Sequence, residues 1–592
     1  MYITKSLFVD YRKLPKLARW KLHDPEAYKR IRKLEDEEQE KHIMEIWMAV
    51  EDAVLQYFQE KYWTTARDLM PMYVKKSSEE EWDDEDEYIQ QSGFNPQQLM
   101  QQTLQAIKNE ETILYQPTFI VNNCLVRGDI MVRTPDGTYT LCEIKAKTTV
   151  RKDMSDDGEK KPLWAIKNDL IDDMSFQKRV INQALSNAWL PGLADIQLRH
   201  LNKEYIKQWP LSLNLLLTYQ ETDKEIIREV VQRNKPVTKK VDDRLLAYEK
   251  IEKEVADMQK FLPLTEEEFN KCSPRHGLKY LEYFGEVKTD KFGTVMWSGI
   301  HHSNAEAIAE LYHQWSHDIT ALTDDEVEEF NRGWQAFIDL YRQAIQQWWP
   351  IIDHWKIQEI VSTFQYPICF YDYESISVPI PFMDTTFPYQ QVVTQYSLHK
   401  LYKDGSLKHY WGVFVGEWEY HVEQITIPEN WNAVAFESEK VVTGSYKDLL
   451  IEFLKDIGDD LQNSTFIVRH EPFENTRNKE IAELFPDLSD YLIINENTYD
   501  LKKIFEKNYY FDIWFKGSAS IKKVLPVLVP EMSYDNLYDV QNGMVAMKRL
   551  LDLITGKIPQ EQREQTIINL LKYCGQDSLA MVKIFEEIKK VI

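Results

Sequence analysis

Asp129, Glu143 and Lys145 flank a Pro135-Asp136-Gly137 turn signal, and their types and spacing could do chemistry together. The strand patterns LVRGDIMVRT and TYTLCEIKAK on either side of the turn predict a short hairpin. A three-residue loop sets Thr134 opposite Thr138, and the same register sets Asp129 opposite Glu143, with side chains about 5 Å apart. Lys145 lies two residues beyond Glu143 and so points to the same face. Carboxylates that close repel, and a hard divalent cation such as Mg²⁺ relieves the repulsion. The lysine can then orient or polarise a water, or stabilise charge developing on a phosphate. The competing interpretation is a cross-strand charge cluster on a solvated sheet face. The apolar neighbours in GDIMV and LCEIKAK weigh against it, because they suit a half-buried central strand.

A second set lies in the last third of the chain. In ICFYDYESI, Asp372 and Glu374 are one residue apart on a strand pattern and project from one face. An apolar strand carrying two acids at one spot again suggests a metal. In YCGQDSLAMV, Tyr573 and Asp577 share a helix face at i and i+4. Between them, FIVRHEPFENTR runs from strand into helix with Glu474 near the junction, and Asp500 in NTYDLKKIF is a reserve acid. Lys522 and Lys523 could meet substrate phosphates or form an ordinary helix surface. His470 and the pair His301-His302 lack ligand-spaced partners and are assigned no metal role.

The elements that must position these groups follow from the rest of the chain. Its 592 residues, 43% of them hydrophobic, exceed what one core usually supports, so two or three domains are expected. With 71 Lys+Arg against 96 Asp+Glu, the net charge of −25 argues against indiscriminate coating of nucleic acid. Part of the acid is concentrated in EEEWDDEDE at positions 79–87, a pattern typical of a solvated loop or insertion. No apolar run is long enough to cross a bilayer, and MYITKSLFVDYRKLPKLARWK lacks the features of a secretory signal. The five cysteines are scattered and never form CxxC pairs, which disfavours a disulfide framework or a four-cysteine zinc module. A soluble, cytoplasmic α/β chain with no membrane association is expected. Helical patterns fill residues 1–70, strands follow around the first hairpin, and a helix covers LIDDMSFQKRVINQALSNAW before the apolar strand LSLNLLLTYQ. Residues 222–360 read as a charged, largely helical connector; three strand patterns then start near Tyr366, and helices dominate towards residue 592.

The first constellation resembles the RecB-like branch of the PD-(D/E)XK nuclease superfamily. The resemblance implies that Asp129 and Glu143 bind metal, that Lys145 assists the attacking water, and that Gln177 in SFQKRVINQAL lies near the site. Glu51 is the candidate for that family's upstream acid, and Leu14 stands where some relatives carry a cysteine before proline, so no iron–sulfur cluster is expected. The second constellation resembles the DnaQ-like 3′–5′ exonucleases of the ribonuclease H-like fold. That implies Mg²⁺ or Mn²⁺ held by Asp372, Glu374, Glu474 and Asp577, with Tyr573 orienting the nucleophilic water. Taken whole, the chain resembles an uncharacterised bacterial family that joins the two modules, matching in segments such as ITKSLF, PFENT and GSASIKKVLPVLVPEMSY.

The resemblance implies a multidomain α/β architecture: a restriction-endonuclease-like PD-(D/E)XK domain over 1–221, a connector over 222–360, and a DnaQ-like domain over 361–592. The function expected is metal-dependent hydrolysis of phosphodiester bonds at two candidate centres, on the ends or single strands of DNA in preference to RNA, in repair, recombination or defence. Two alternatives stay open. One is a nucleic-acid-binding scaffold with one or both centres inactive, favoured by Ile181 and Glu474, which stand where the families carry Tyr and Asp. The other is an RNA-processing exonuclease.

Overall fold

The computed structural model describes residues 2–69 apart from 14, 27 and 29–36; 95–148; 168–221 apart from 203–204; 225–226; 239–240; 248–269 apart from 266–267; 323–416 apart from 329–331; 436–532 apart from 516; and 540–592 apart from 541–542. The acidic run at 79–87 and His301-His302 lie outside these residues. The protein is mixed α/β and separates into two compact units, Met1–Gly285 with Val378–Tyr389, and Glu286–Ser377 with Gln390–Ile592. Residues 222–360 are thereby divided between the units.

In the first unit, helix α1 (Lys5–Lys13) and helix α2 (Glu37–Tyr62) precede a six-stranded sheet. Its strands are β1 (Arg67–Asp68), β2 (Ile113–Tyr115), β3 (Ile130–Arg133), β4 (Tyr139–Lys145), β5 (Leu193–Leu201) and β6 (Leu217–Glu221), adjacent in that order. The β3–β4 register is the one expected from the turn: Ile130 pairs with Cys142 and Arg133 with Tyr139. Thr134 N donates to Thr138 O at 2.8 Å, and Gly137 takes φ 86° to close the loop. β4 and β5 run parallel, which requires a crossover, and helix α3 (Asn168–Asn187) lies between them in the chain. Leu170, Ile171, Met174, Ile181, Ala184 and Leu185 recur at helical spacing on α3 and are buried.

The first residues are tied to this unit by backbone pairing. Ile3 bridges Cys124, with Ile3 N donating to Asn123 O at 2.8 Å and Leu125 N donating to Ile3 O at 2.9 Å. Phe8 on α1 then stacks on Phe176 of α3 with ring centroids 4.8 Å apart. Together these fix how α1 approaches the end of β4.

The second unit is built on β7 (Ile368–Ile376), a strand buried along its whole length as its apolar sequence requires. It pairs antiparallel with β8 (Val392–Leu401), which pairs antiparallel with β9 (Leu407–Phe414). β10 (Phe436–Val442) runs parallel to β9 on that side. On the other side, β11 (Thr465–Val468) and β12 (Thr498–Asp500) continue the sheet in parallel. A bulge falls between Glu374 and Ser375, where it changes the aim of the acid-bearing stretch. Helices α4 (Tyr446–Ile457), α5 (Glu471–Leu484), α6 (Ile521–Leu528) and α7 (Gln560–Lys589) complete the part used below. α7 is pinned to the sheet by polar bonds: Gln395 Nε2 donates to Leu570 O at 2.9 Å, and the Ser397 and Ser578 hydroxyls bond at 2.6 Å.

Several elements differ from the expectation, among them the short strands Glu225–Ile226, Lys239–Lys240 and Ile351–Ile352 within 222–360. LSLNLLLTYQ begins as a helical turn, Leu213–Leu216, before it becomes β6. β5 (LADIQLRHL) and β10 (FESEKVV) mix charge with apolar residues and carry no clean strand alternation. Among the described residues no helix is long and apolar enough to cross a membrane.

Phe8 and Phe176 are both fully buried. Phe8→Ala is therefore expected to cost about 3–5 kcal/mol through cavity formation, measured by denaturant unfolding of the full chain. A loss below about 1 kcal/mol would mean that α1 is not seated through this stack.

Candidate functional site

The end of β4 gathers charges that are otherwise rarely buried. Asp129, Glu143, Lys145, Asp173 and Gln177 are all under one-tenth exposed. Asp129, just before β3, accepts from Ile144 N at 2.7 Å, which locks its carboxylate beside β4. Lys145 Nζ donates to Glu143 Oε1 at 2.5 Å and to Asp173 Oδ2 at 3.0 Å. Gln177 Nε2 donates at 2.7 Å to Glu143 Oε2 and to Asp173 Oδ1. From α1, Lys5 Nζ reaches Glu143 Oε1 at 3.3 Å and Asp129 Oδ1 at 3.6 Å. Glu51 on α2 accepts from Gln116 Nε2 at 3.0 Å and from the Tyr115 hydroxyl at 3.2 Å. Its charge is felt at Asp129.

These neighbours set the protonation states. Burial pushes the Asp129 carboxyl well up, and the charge of Glu143 adds to the rise. Burial raises Asp173 for the same reason, again reinforced by Glu143. At Glu143, burial is outweighed by Lys145, Lys5 and the bond from Gln177, so its carboxyl is held below the usual range. Burial also opposes the charge on Lys145, yet Asp173 and Glu143 raise it. The result is an ionised glutamate between two ammonium groups, beside an aspartate that resists ionising without another cation.

Asp129, Glu143, Lys145 and Gln177 are thus brought together, with Glu51 close enough to act electrostatically. Lys5 and Asp173 were missed. Asp173 carried a signal, since it lies four residues before Gln177 on the same helix. Lys5 falls in ITKSLF, a segment that carries the resemblance, but at 138 residues from Glu143 no spacing pairs the two. Ile181 is buried in the apolar core.

The second cluster is built differently. Asp372, Glu374 and Cys574 each offer a ligand atom within 4.8 Å of the others, and all three are buried. Cys574 Sγ also lies 3.7 Å from the Asp372 carbonyl, so α7 packs directly against β7. Asp577 lies one turn beyond Tyr573, and Arg469, just after β11, approaches its Oδ1 at 3.5 Å. Glu474 is buried in the first turn of α5, and its Oε2 has no hydrogen-bond partner among the described residues. An orphaned buried carboxylate oxygen is a group awaiting a cation or a proton. Asp500 is committed elsewhere: it accepts from Glu471 N at 3.2 Å, at the start of α5, and from Lys502 N at 2.9 Å, at the start of the helix Lys502–Glu506. His470 is the residue preceding α5. Lys522 and Lys523 are exposed on α6, and the charge of Lys522 is felt at Glu374.

Burial pushes the Asp372 carboxyl up to about 7, with repulsion from Asp577 adding to it. Glu374 is raised further by burial and by Asp372. Burial and Asp372 lift Glu474 to about 9. Tyr573 is raised by burial and by Asp577, Glu374 and Asp372, so its hydroxyl keeps its proton beside the acids. Asp372, Glu374, Glu474, Asp577 and Tyr573 therefore share one electrostatic neighbourhood. Arg469 and Cys574 are additions that the sequence did not single out.

Comparison with known proteins adds little chemistry. Residues 369–520 match a domain of unknown function (DUF2779). The chain is similar to uncharacterised protein UU173 of Ureaplasma parvum, 28% identical over 243 residues that cover 38% of this chain and 31% of that protein. It is similar to the uncharacterised MG366 homolog of Mycoplasma pneumoniae, 28% identical over 243 residues covering 38% and 32%. The uncharacterised protein MG366 of Mycoplasma genitalium is 26% identical over 235 residues with the same coverage. The chain spans about a third of the length of these curated relatives. The similarities support an uncharacterised bacterial family. No solved structure matches the chain.

The raised carboxyls dictate a pH response. Asp372 and Glu474 keep protons in the fold that they release on unfolding, so metal-free stability falls as pH rises from about 4 towards about 9. Asp372→Asn is expected to stabilise the metal-free protein at pH 8 by about 1–3 kcal/mol. Chemical unfolding in chelator at pH 5 and pH 8 measures it. A variant no more stable than the parent at pH 8 would contradict the electrostatic picture.

Proposed function

We propose that this protein is a metal-dependent nuclease with two hydrolytic centres, acting in the cytoplasm on nucleic acid and on DNA in preference to RNA. The observation that carries the proposal is the burial of two separate carboxylate clusters whose members repel one another, one of them holding an orphaned Glu474 oxygen. Such clusters fit hard divalent cations, and oxygen donors suit Mg²⁺ or Mn²⁺. In this proposal residues 1–221 carry a PD-(D/E)XK-like module, 361–592 a DnaQ-like, ribonuclease H-like module, and 222–360 connect them. The acids on a central strand and on a helix packed against it support the second assignment.

At the first centre Asp129 and Glu143 would hold the ion. At the second, Asp372, Glu374, Glu474 and Asp577 would do so. A bound ion supplies Lewis-acid stabilisation of phosphate charge and lowers the pKa of water. The chain's own groups do the rest. Gln177 fixes Glu143 Oε2 while Asp173 holds the Lys145 ammonium in place, 3.0 Å away. That ammonium remains charged and can orient water or meet developing negative charge. Tyr573, kept neutral, can hold a water by hydrogen bonding without becoming a base itself. Arg469 offers a positive edge beside Asp577 where a phosphate can approach.

The scaffold interpretation has support from Ile181, whose burial in the core leaves no hydroxyl at that position. Cleavage separates the two. On end-labelled single- and double-stranded oligonucleotides with Mg²⁺ or Mn²⁺, Glu143→Ala or Lys145→Ala should lower one activity by about 10²–10³-fold. Asp372→Ala or Asp577→Ala should lower the other by a similar factor. Matched RNA strands test the preference for DNA. Parent-like cutting by all four variants would overturn the site assignments, and a parent that cuts nothing in either metal would favour the scaffold.

A further inference from the structure

Lys5 is the one member of the first cluster that comes from α1, and its attachment differs from that of Lys145. Lys145 is shared between Glu143 and Asp173, which anchors it to β4 and α3. Lys5 instead spans Glu143 and Asp129, at 3.3 and 3.6 Å. Its side chain is 19% exposed, against 10% for Lys145, so it is the more solvent-accessible of the two ammonium groups. The backbone holds its base firmly, through the Ile3 bridge and the Phe8–Phe176 stack, and the ammonium stands at the end of a four-carbon stem.

We propose that Lys5 is an exchangeable counter-ion of the Asp129–Glu143 pair. It supplies positive charge to the pair when no metal is bound, and a divalent cation must displace its ammonium to take the same oxygens. The inference rests on the proposed metal centre and adds to it a competitor built into the chain. Glu143 Oε1 already accepts from both Lys145 and Lys5. A divalent ion on the same oxygens would add its charge to theirs, and like charges a few ångströms apart repel by several kcal/mol in a protein interior, so the more exposed ammonium is the one to yield. Metal binding there is exchange of one cation for another, which keeps the pair from flying apart in the metal-free protein and weakens affinity for the ion. The cluster stays organised in both states.

The test titrates Mn²⁺ calorimetrically into the full-length chain carrying Asp372→Asn and Asp577→Asn, so that the second centre is silenced. Binding lost on Glu143→Gln is assigned to the first centre. Lys5→Gln is expected to bind Mn²⁺ about tenfold more tightly than the parent. Lys5→Met, which keeps the stem and lacks the charge, should do the same, and Lys5→Arg should stay near the parent. In chelator, both neutral variants should melt below the parent, and Mn²⁺ should restore them. If the neutral variants bind Mn²⁺ no more tightly than the parent while Glu143→Gln still abolishes binding, the exchange proposal is overturned and the metal centre stands. If Glu143→Gln changes binding in neither background, the metal centre itself is wrong and the proposal falls with it.

Discussion

Carboxylates buried within a few ångströms of one another cannot all stay ionised unless positive charge stands beside them. Both units of this protein are organised around that constraint. In the first, Glu143 is ionised because Lys145, Lys5 and Gln177 surround it, and Asp129 is not relieved to the same degree. In the second, Asp372, Glu374 and Glu474 are all driven upward, and Arg469 only partly offsets their repulsion. The two clusters are the same problem with different partial answers. A divalent cation, as proposed, would relieve both.

The folds exist to hold these groups against their repulsion. The β3–β4 hairpin, the crossover helix α3 and the bridged N-terminal segment each bring one side of the first cluster. Moving any one of them would open the charge pairs. In the second unit a polar seam, in which Gln395 bonds to Leu570 O and Ser397 to Ser578, pins α7 to β8. The seam is joined by two buried imidazoles, His399 and His409, stacked with centroids 3.9 Å apart. Burial depresses both, His409 to about 3, so they serve as neutral hydrogen-bonding groups in the support beneath the acids.

Local chemistry was legible in the sequence wherever short-range geometry decides it. The three-residue turn fixed the β3–β4 register, the one-residue spacing of Asp372 and Glu374 put them on one face, and the four-residue spacing of Tyr573 and Asp577 did so on a helix. Asp173 was within reach of the same logic through Gln177. What could not be read depends on long-range closure. Lys5 meets Glu143 because Ile3 pairs beside Cys124, and no spacing announces that bridge. Arg469 matters because β11 joins β7 in parallel. The strands Leu193–Leu201 and Phe436–Val442 hide because their charged residues blur the alternation that marks a half-buried strand.

The central claim is that each cluster exists to hold a divalent ion, and anomalous diffraction from crystals grown with Mn²⁺ tests it most directly. The account expects anomalous peaks about 2.1–2.3 Å from carboxylate oxygens, one against Asp129 and Glu143 and at least one among Asp372, Glu374, Glu474 and Asp577. Crystals saturated with Mn²⁺ that show no peak at either cluster, with the carboxylates arranged as they are here, would contradict it.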